Sequence, residues 1–293
     1  MPFFSVIIPT YNRHELAGRA VNSVLAQTFS DYELILVDDG STDSTPLLAD
    51  TFRGRMIYLR QDNCGVSAAR NRGIRLSRAK WCAFLDSDDL WHPDKLKEQS
   101  SYIAAHPDIK ISQCEEQWIR KGKRVNPGLR HIKPEGSIYL NSLELCLISP
   151  SSVVVSRELF DRYGMFDESL PACEDYDLWL KITAREKVGL LKKELNVRHG
   201  GHDDQLSQQY WGMDRFRIYS LVNMLISGLI ESGEYLTRTR DIALQKSRIL
   251  LSGAKKRGKE EFALEVQRVI DLLESGQYNS IDSRRLLQEA GPA

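Results

Sequence analysis

Several absences narrow the possibilities before any motif is considered. Among 293 residues, basic and acidic side chains balance at 40 each. There is no surplus of one sign to draw the whole chain to nucleic acid or to an anionic surface, and a nucleic-acid partner is not expected. No apolar run approaches the roughly 18 residues that span a bilayer. The opening stretch, MPFFSVIIPTYNR, has neither a basic leader nor a small-residue cleavage site, so a signal peptide is not expected. Cysteine is sparse and odd in number: Cys64, Cys82, Cys114, Cys146 and Cys173 are scattered, with no C-x-x-C pair. A disulfide framework or a zinc site is therefore not expected, and the reading is five buried or half-buried thiols in a reducing cytoplasm. Low-complexity segments and internal repeats are missing too. What remains is 42% hydrophobic and 27% charged, the balance of a globular chain with one large domain, or one domain plus an appendage.

Within that chain, FSVII (residues 4–8), ELILV (33–37) and WCAFL (81–85) are near-continuous apolar runs. Strands covered on both faces look like this, and MIYL (56–59) reads as a shorter fourth. Helical stretches alternate with them: one carries Leu16, Ala20, Val24 and Leu25, one follows the cap-rich STDST with Pro46, and one runs from Ser67 toward Leu76. Strand–helix alternation predicts a parallel sheet with ligands at the carboxyl ends of its strands. A hairpin is expected around Gly122, a strand over 152–155 and a helix over 174–181. Beyond about residue 210 the pattern is helical only, with Phe262, Val266, Val269, Ile270 and Leu273 on one stripe.

The strand ends, PTYN, DDG and DSDD, are expected to share one rim. Asp86, Asp88 and Asp89 repel one another; they either cap the following helix or hold Mg²⁺ or Mn²⁺ through hard oxygen donors. Asp39 either shapes a turn with Gly40 or accepts a hydrogen bond from a nucleobase or ribose. Tyr11 is either a surface aromatic or a stacking face for a base. Arg70 is either a solvated helix arginine or a diphosphate contact. Glu174 and Asp175 either suit a helix dipole or include a general base. In HGGHDDQ, His202 rather than His199 is the candidate to complete a metal shell. The basic hairpin 120–124, with Arg130, His131 and Lys133 nearby, is a solvated turn or faces an anionic acceptor. The helical tail could dock a partner, form a homodimer or lie on a membrane; its mixed charges do not support a strong anchor.

VIIPTYNR at 6–13, LILVDDGSTD at 34–43, NCGVSAARNRGI at 63–74, FLDSDD at 84–89 and EDYDLWLK at 174–181 together resemble the inverting glycosyltransferases of family 2, over residues 3 to about 205. The resemblance implies an α/β, GT-A (Rossmann-like), mostly parallel sheet flanked by helices in residues 1–207, with a C-terminal helical region in 208–293. It implies that Pro9, Tyr11 and Asp39 hold a nucleoside, usually uridine, with Arg70 near the nucleotide. Asp86 and Asp88 match the aspartate-any-aspartate pair: Asp88 would bind Mn²⁺ or Mg²⁺, and Asp86 would approach the ribose or the metal's waters. Asp175 matches the base, with Glu174 beside it, and His202 stays a candidate ligand in the loop that follows. The implied activity is metal-dependent, inverting transfer of a sugar from a nucleoside-diphosphate sugar, usually a UDP-sugar, to a hydroxyl of a glycan, lipid-linked or protein acceptor. The implied setting is surface-glycan or polysaccharide synthesis in the cytoplasm, at most peripheral to the inner face of a membrane.

Two rivals are weighed against this. A sugar-nucleotide nucleotidyltransferase wants a Gly-rich loop after the first strand, where this chain has PTYNRHE. A non-catalytic nucleotide-sugar-binding scaffold has no need of the acids at 86–89 and 174–175.

Overall fold

The computed structural model describes residues 1–201, 210–230 and 233–288. Its contacts divide the chain into two compact units: a sheet unit (Met1–Gly136, Leu147–Pro171 and Glu186–Gly201) and a helical unit (Ser137–Cys146, Ala172–Arg185 and the described part of His202–Ala293).

In chain order the elements begin β1 (Phe4–Thr10), α1 (His14–Leu25), β2 (Tyr32–Asp38), α2 (Leu48–Thr51), β3 (Ile57–Arg60) and α3 (Val66–Leu76). They continue β4 (Trp81–Phe84), β5 (Leu90–Trp91), α4 (Lys95–Ala105), β6 (Ile111–Arg120), β7 (Lys123–Val125) and α5 (Tyr139–Ser142). Then come β8 (Val153–Ser156), α6 (Glu158–Tyr163), α7 (Glu174–Thr183), β9 (Val188–Gly200), α8 (Asp214–Ile226), α9 (Glu234–Lys256) and α10 (Glu260–Glu274).

All the described strands lie in the sheet unit, in the order β3-β2-β1-β4-β8-β6-β9-β5, with β7 added to β6. The four early strands form the predicted parallel half. The other half is mixed: β8 runs antiparallel to β4 and β6, β9 parallel to β6, and β5 antiparallel to β9. The apolar runs are explained by cover on both faces. Leu34 and Leu36 of β2 join one buried cluster with Ala17, Ala20 and Val24 of α1, while Ile35 and Val37 join another with Ala69 of α3. Gly73 lets α3 lie close on β1; a Cβ there would come within 2.5 Å of Ile7 Cγ2.

The hairpin turns where expected. Lys121 and Gly122 both take positive φ, 49° and 73°, as a two-residue turn matched to strand twist requires. Helix α4 begins only at Lys95, so Asp88 and Asp89 do not cap it; they sit in a turn closed by Asp89 N donating to Asp86 O at 3.0 Å. His199 lies in β9. Cys64 is exposed rather than buried; Cys82 and Cys114 are buried, and Cys146 and Cys173 half-buried.

The helical unit has its own apolar core. The five-residue stripe read from the sequence packs there with Ile218 and Val222 of α8 and Ile242 and Leu250 of α9. That core also takes Tyr139, Leu143, Tyr176 and Leu180, around α5 and α7. The Tyr139 and Thr239 hydroxyls are 2.8 Å apart, and Tyr176 donates its hydroxyl to Leu143 O at 2.6 Å. The division is therefore discontinuous rather than a single cut after residue 207, because these two stretches bury their apolar side chains with the later helices. No described helix is long and apolar enough to cross a membrane.

Candidate active site

In the sheet unit the parallel register sets Thr10 beside Asp38, so the loops after β1 and β2 start together. Asp39 N donates to Thr10 O (2.9 Å), and Asn12 N donates to Ser41 Oγ (2.9 Å). Asn12, at φ 51°, accepts at Oδ1 from Thr42 N (2.7 Å) and Asp43 N (3.3 Å). Asp38 accepts from Ser41 N (2.8 Å) and from the Tyr58 hydroxyl, whose pKa is raised by burial and by that carboxylate.

The buried Asp39 carboxylate accepts from Gln61 Nε2 (2.7 Å), Cys64 N (3.0 Å) and Gly65 N (2.8 Å). It thus pins the loop that leads into α3 and satisfies a backbone donor at that helix's start. Three donors occupy most of the roughly four acceptor positions of a carboxylate and leave room for one more. Gly40 is needed at this turn: its φ is +81°, and a Cβ would come within 2.8 Å of Asn63 N. Pro9 is buried in β1, whereas Tyr11 is 45% exposed.

The acidic loop follows β4, next to β1 in the sheet. Asp86 N donates to Ser151 Oγ (3.1 Å), and Trp91 Nε1 donates to Ser151 O (2.8 Å), so one turn before β8 braces both ends of the loop. Asp86 Oδ1 accepts from Nη2 of the buried Arg70 (2.6 Å), whose guanidinium lies 5.2 Å from the Phe166 ring. Asp88 Oδ2 accepts from Arg13 Nη1 at 3.1 Å. Asp89 is buried and accepts at Oδ1 from His199 N (2.9 Å). Burial, then Asp88 and Asp86, push its pKa well above the ordinary carboxylate range. The rim expected from the sequence is real: the loops after β1, β2 and β4 are tied to one another, and Tyr11, Asp39, Arg70, Asp86 and Asp88 lie on them or on α3.

Asp86 and Asp88 offer the hard oxygen donors that Mg²⁺ or Mn²⁺ takes. One or two carboxylates completed by phosphate oxygens and water is an ordinary coordination for such an ion. The described residues contain no group of three or more His, Cys, Asp or Glu side chains able to hold a metal by themselves. A cation held by Asp86 and Asp88 would compete with Arg13 and Arg70 for the same carboxylates. His202 lies outside the described residues.

The second acidic pair belongs to the helical unit. Cys173, in the left-handed region at φ 63°, precedes α7 and places the buried Glu174 and half-buried Asp175 in its first turn, where the helix dipole favours negative charge. Asp175 accepts at Oδ1 from Tyr176 N (2.7 Å) and at Oδ2 from the Cys146 thiol (3.5 Å). Burial pushes the Cys173 thiol up to about 12, with Asp175 and Glu174 adding to the rise. Three contributors escaped the sequence reading. Arg13 lies in VIIPTYNR with no spacing that ties it to Asp88, and nothing about Ser151 or Cys146 in sequence marks a partner for Asp86 or Asp175.

The glycosyl transferase family 2 profile matches residues 5–164. An uncharacterized glycosyltransferase of Rickettsia typhi, RT0329, is 32% identical over 70% of this chain and 65% of its own length. Across the Rickettsia relatives the match spans 31–65% of their length. WfgD of Escherichia coli, a UDP-Glc:alpha-D-GlcNAc-diphosphoundecaprenol beta-1,3-glucosyltransferase, is 31% identical over 77% of this chain and 93% of its own. Among solved structures, S. aureus TarS 1-349 in complex with UDP-GlcNAc shares the fold, with a TM-score of 0.70 at 20% identity over 99% of this chain and 91% of that one. The profile covers more than half of the chain and the E. coli relative is matched almost end to end; this chain belongs to glycosyl transferase family 2.

Proposed function

We propose that the protein is a metal-dependent, inverting glycosyltransferase that moves a sugar from a UDP-sugar to an acceptor hydroxyl in surface-glycan synthesis. The observation that carries this is the joined rim of the sheet unit, where an exposed Tyr11, a carboxylate with one acceptor position left at Asp39 and two arginine-paired acids lie on interlinked loops. UDP-glucose in the name of the E. coli relative and UDP-GlcNAc in the S. aureus complex support a uridine donor. The diphosphoundecaprenol in the former's name supports a lipid-linked acceptor.

In this reading the base stacks on Tyr11 beside Pro9, and Asp39 accepts from the nucleoside. Arg70 and Arg13 turn from Asp86 and Asp88 toward the diphosphate, giving charge-assisted hydrogen bonds. Asp88 and Asp86 would hold Mn²⁺ or Mg²⁺, and such an ion would supply Lewis-acid stabilisation of the charge on the leaving diphosphate. Asp175, its carboxylate oriented by Tyr176 N and the Cys146 thiol, takes the proton of the acceptor hydroxyl, and Glu174 adds negative potential beside it. The acceptor oxygen bonds to the anomeric carbon from the face opposite the diphosphate. The carbon–oxygen bond to the diphosphate breaks with its electron pair on the leaving group, and the configuration inverts. A positioned base contributes roughly 10²–10⁴-fold to such a step.

The test is release of nucleoside diphosphate from a panel of UDP-glucose, UDP-galactose, UDP-GlcNAc, UDP-GalNAc and GDP-mannose, with Mn²⁺ or Mg²⁺. Release from one or more donors is expected. Tight nucleotide binding with no release from any donor would instead support a non-catalytic nucleotide-sugar-binding protein of the same fold.

A further inference from the structure

The chain is neutral as a whole, but one tip of the sheet unit is not. The β6–β7 turn sets Arg120 opposite Lys123. A 3₁₀ turn, Leu129–His131, folds back onto this hairpin, with the His131 ring 5.1 Å from the Trp118 ring. Arg198 of β9 stacks on the same tryptophan at 5.1 Å. Among the described residues Arg124 is paired, with Glu194 at 2.7 Å, whereas Arg120, Lys121, Lys123 and Arg130 form no ion pair with a carboxylate. His131 is held below its ordinary pKa, mainly by burial, with Arg130 and Arg198 adding to the drop.

Two aliphatic side chains project beside these cations: Leu129 is 86% and Ile132 62% exposed. Leu129 opens the 3₁₀ turn and Ile132 directly follows it, so both flank Arg130 in the same short segment. A soluble anion would be satisfied by the cations alone and would give these side chains no contact. A peptide would want a groove, but residues 120–124 and 126–130 are continuously exposed, as on a protruding tip. Apolar side chains ringed by cations on a protrusion suit the boundary between headgroups and acyl chains.

We propose that this tip docks on an anionic lipid bilayer, with Leu129 and Ile132 entering the interface and Arg120, Lys121, Lys123 and Arg130 facing headgroup phosphates. The placement has a consequence for the site. His199, whose N–H holds Asp89, pairs in register with Ile119, one residue before Arg120. The acidic loop and the tip are therefore fastened to the same end of β9, and a surface met by the tip lies at the end of the sheet that carries the acids. This inference does not depend on the proposed reaction.

The experiment is co-sedimentation of the full chain with phosphatidylcholine vesicles and with phosphatidylcholine–phosphatidylglycerol vesicles. Binding to the mixed vesicles alone is expected, weakening as salt is raised. Lys121→Gln with Lys123→Gln is expected to cut partitioning about 30-fold, from the typical contribution of a cation near an anionic surface. Leu129→Ser with Ile132→Ser is expected to cut it at least about tenfold. All four residues are exposed, so unchanged melting temperatures verify that the variants fold. No binding to the mixed vesicles, equal binding to neutral ones, or wild-type binding by both double variants would overturn the proposal.

Discussion

The acidic loop of the sheet unit and the acidic start of α7 in the helical unit hold crowded carboxylates by different means. At 86–89 two of the three acids face guanidinium groups, Asp86 with Arg70 and Asp88 with Arg13, while Asp89 is buried against a backbone N–H. At 174–175 the compensation comes from the first turn of a helix, a neighbouring peptide N–H and a thiol. Ion pairs can be exchanged for another cation or released to an anion; peptide dipoles cannot. That difference suits the first region to taking up and letting go of a charged ligand, and the second to keeping one carboxylate oriented.

The largest effect is expected where the second region is touched. Asp175→Asn keeps the shape and the helix start, so nucleotide binding stays close to wild type while transfer falls roughly 10²–10⁴-fold. Equal single-turnover rates for variant and wild type would remove Asp175 from the proton transfer.

Arg70→Met probes the first region through stability. It strips Asp86 of its partner beside two further acids, and is expected to lower unfolding free energy by about 3 kcal/mol, the low end for breaking a buried pair because Asp86 is 31% exposed. Added Mn²⁺ is expected to restore more of the melting temperature in the variant than it adds to the wild type. A variant as stable as the wild type would mean that the guanidinium does not hold this loop.

A smaller effect comes from a charge buried in the sheet unit outside the rim. Lys95 Nζ lies 2.5 Å from Gln99 Oε1 and 4.1 Å from the Trp91 ring, and burial pushes its pKa down to about 8. In the unfolded chain a lysine titrates near 10.4. The cost of burying the ammonium is thus full below about pH 8 and is relieved as pH rises toward about 10. Wild type should gain on Lys95→Met by about 2–3 kcal/mol between about pH 7 and 10. Urea melts at the two pH values measure this, and a difference that stays flat would show that the ammonium does not titrate in that range.

Much of this was legible in the sequence where the signal was local. FSVII, ELILV and WCAFL are strands because both faces are covered, and the stripe from Phe262 to Leu273 is a buried helix face. The rim loops meet because parallel neighbours in register end together. Strand direction was not legible: VVV at 153–155 carries no sign of running antiparallel to β4. The long β9 was hidden because Lys192, Lys193 and Glu194 are exposed in its middle and the ladder with β6 shifts register there. Long-range partners were equally silent. Arg13 and Asp88 are separated by 75 positions and Tyr139 and Thr239 by 100, and no spacing rule reaches so far.

Calorimetric titration of UDP into the wild type and Asp88→Ala, each with and without Mn²⁺, addresses the acidic loop itself. Tight binding is expected only for the wild type with Mn²⁺, with the metal's contribution lost in Asp88→Ala. Equal affinity with and without Mn²⁺ in the wild type would contradict the assignment of this loop as the place where a cation and a diphosphate meet.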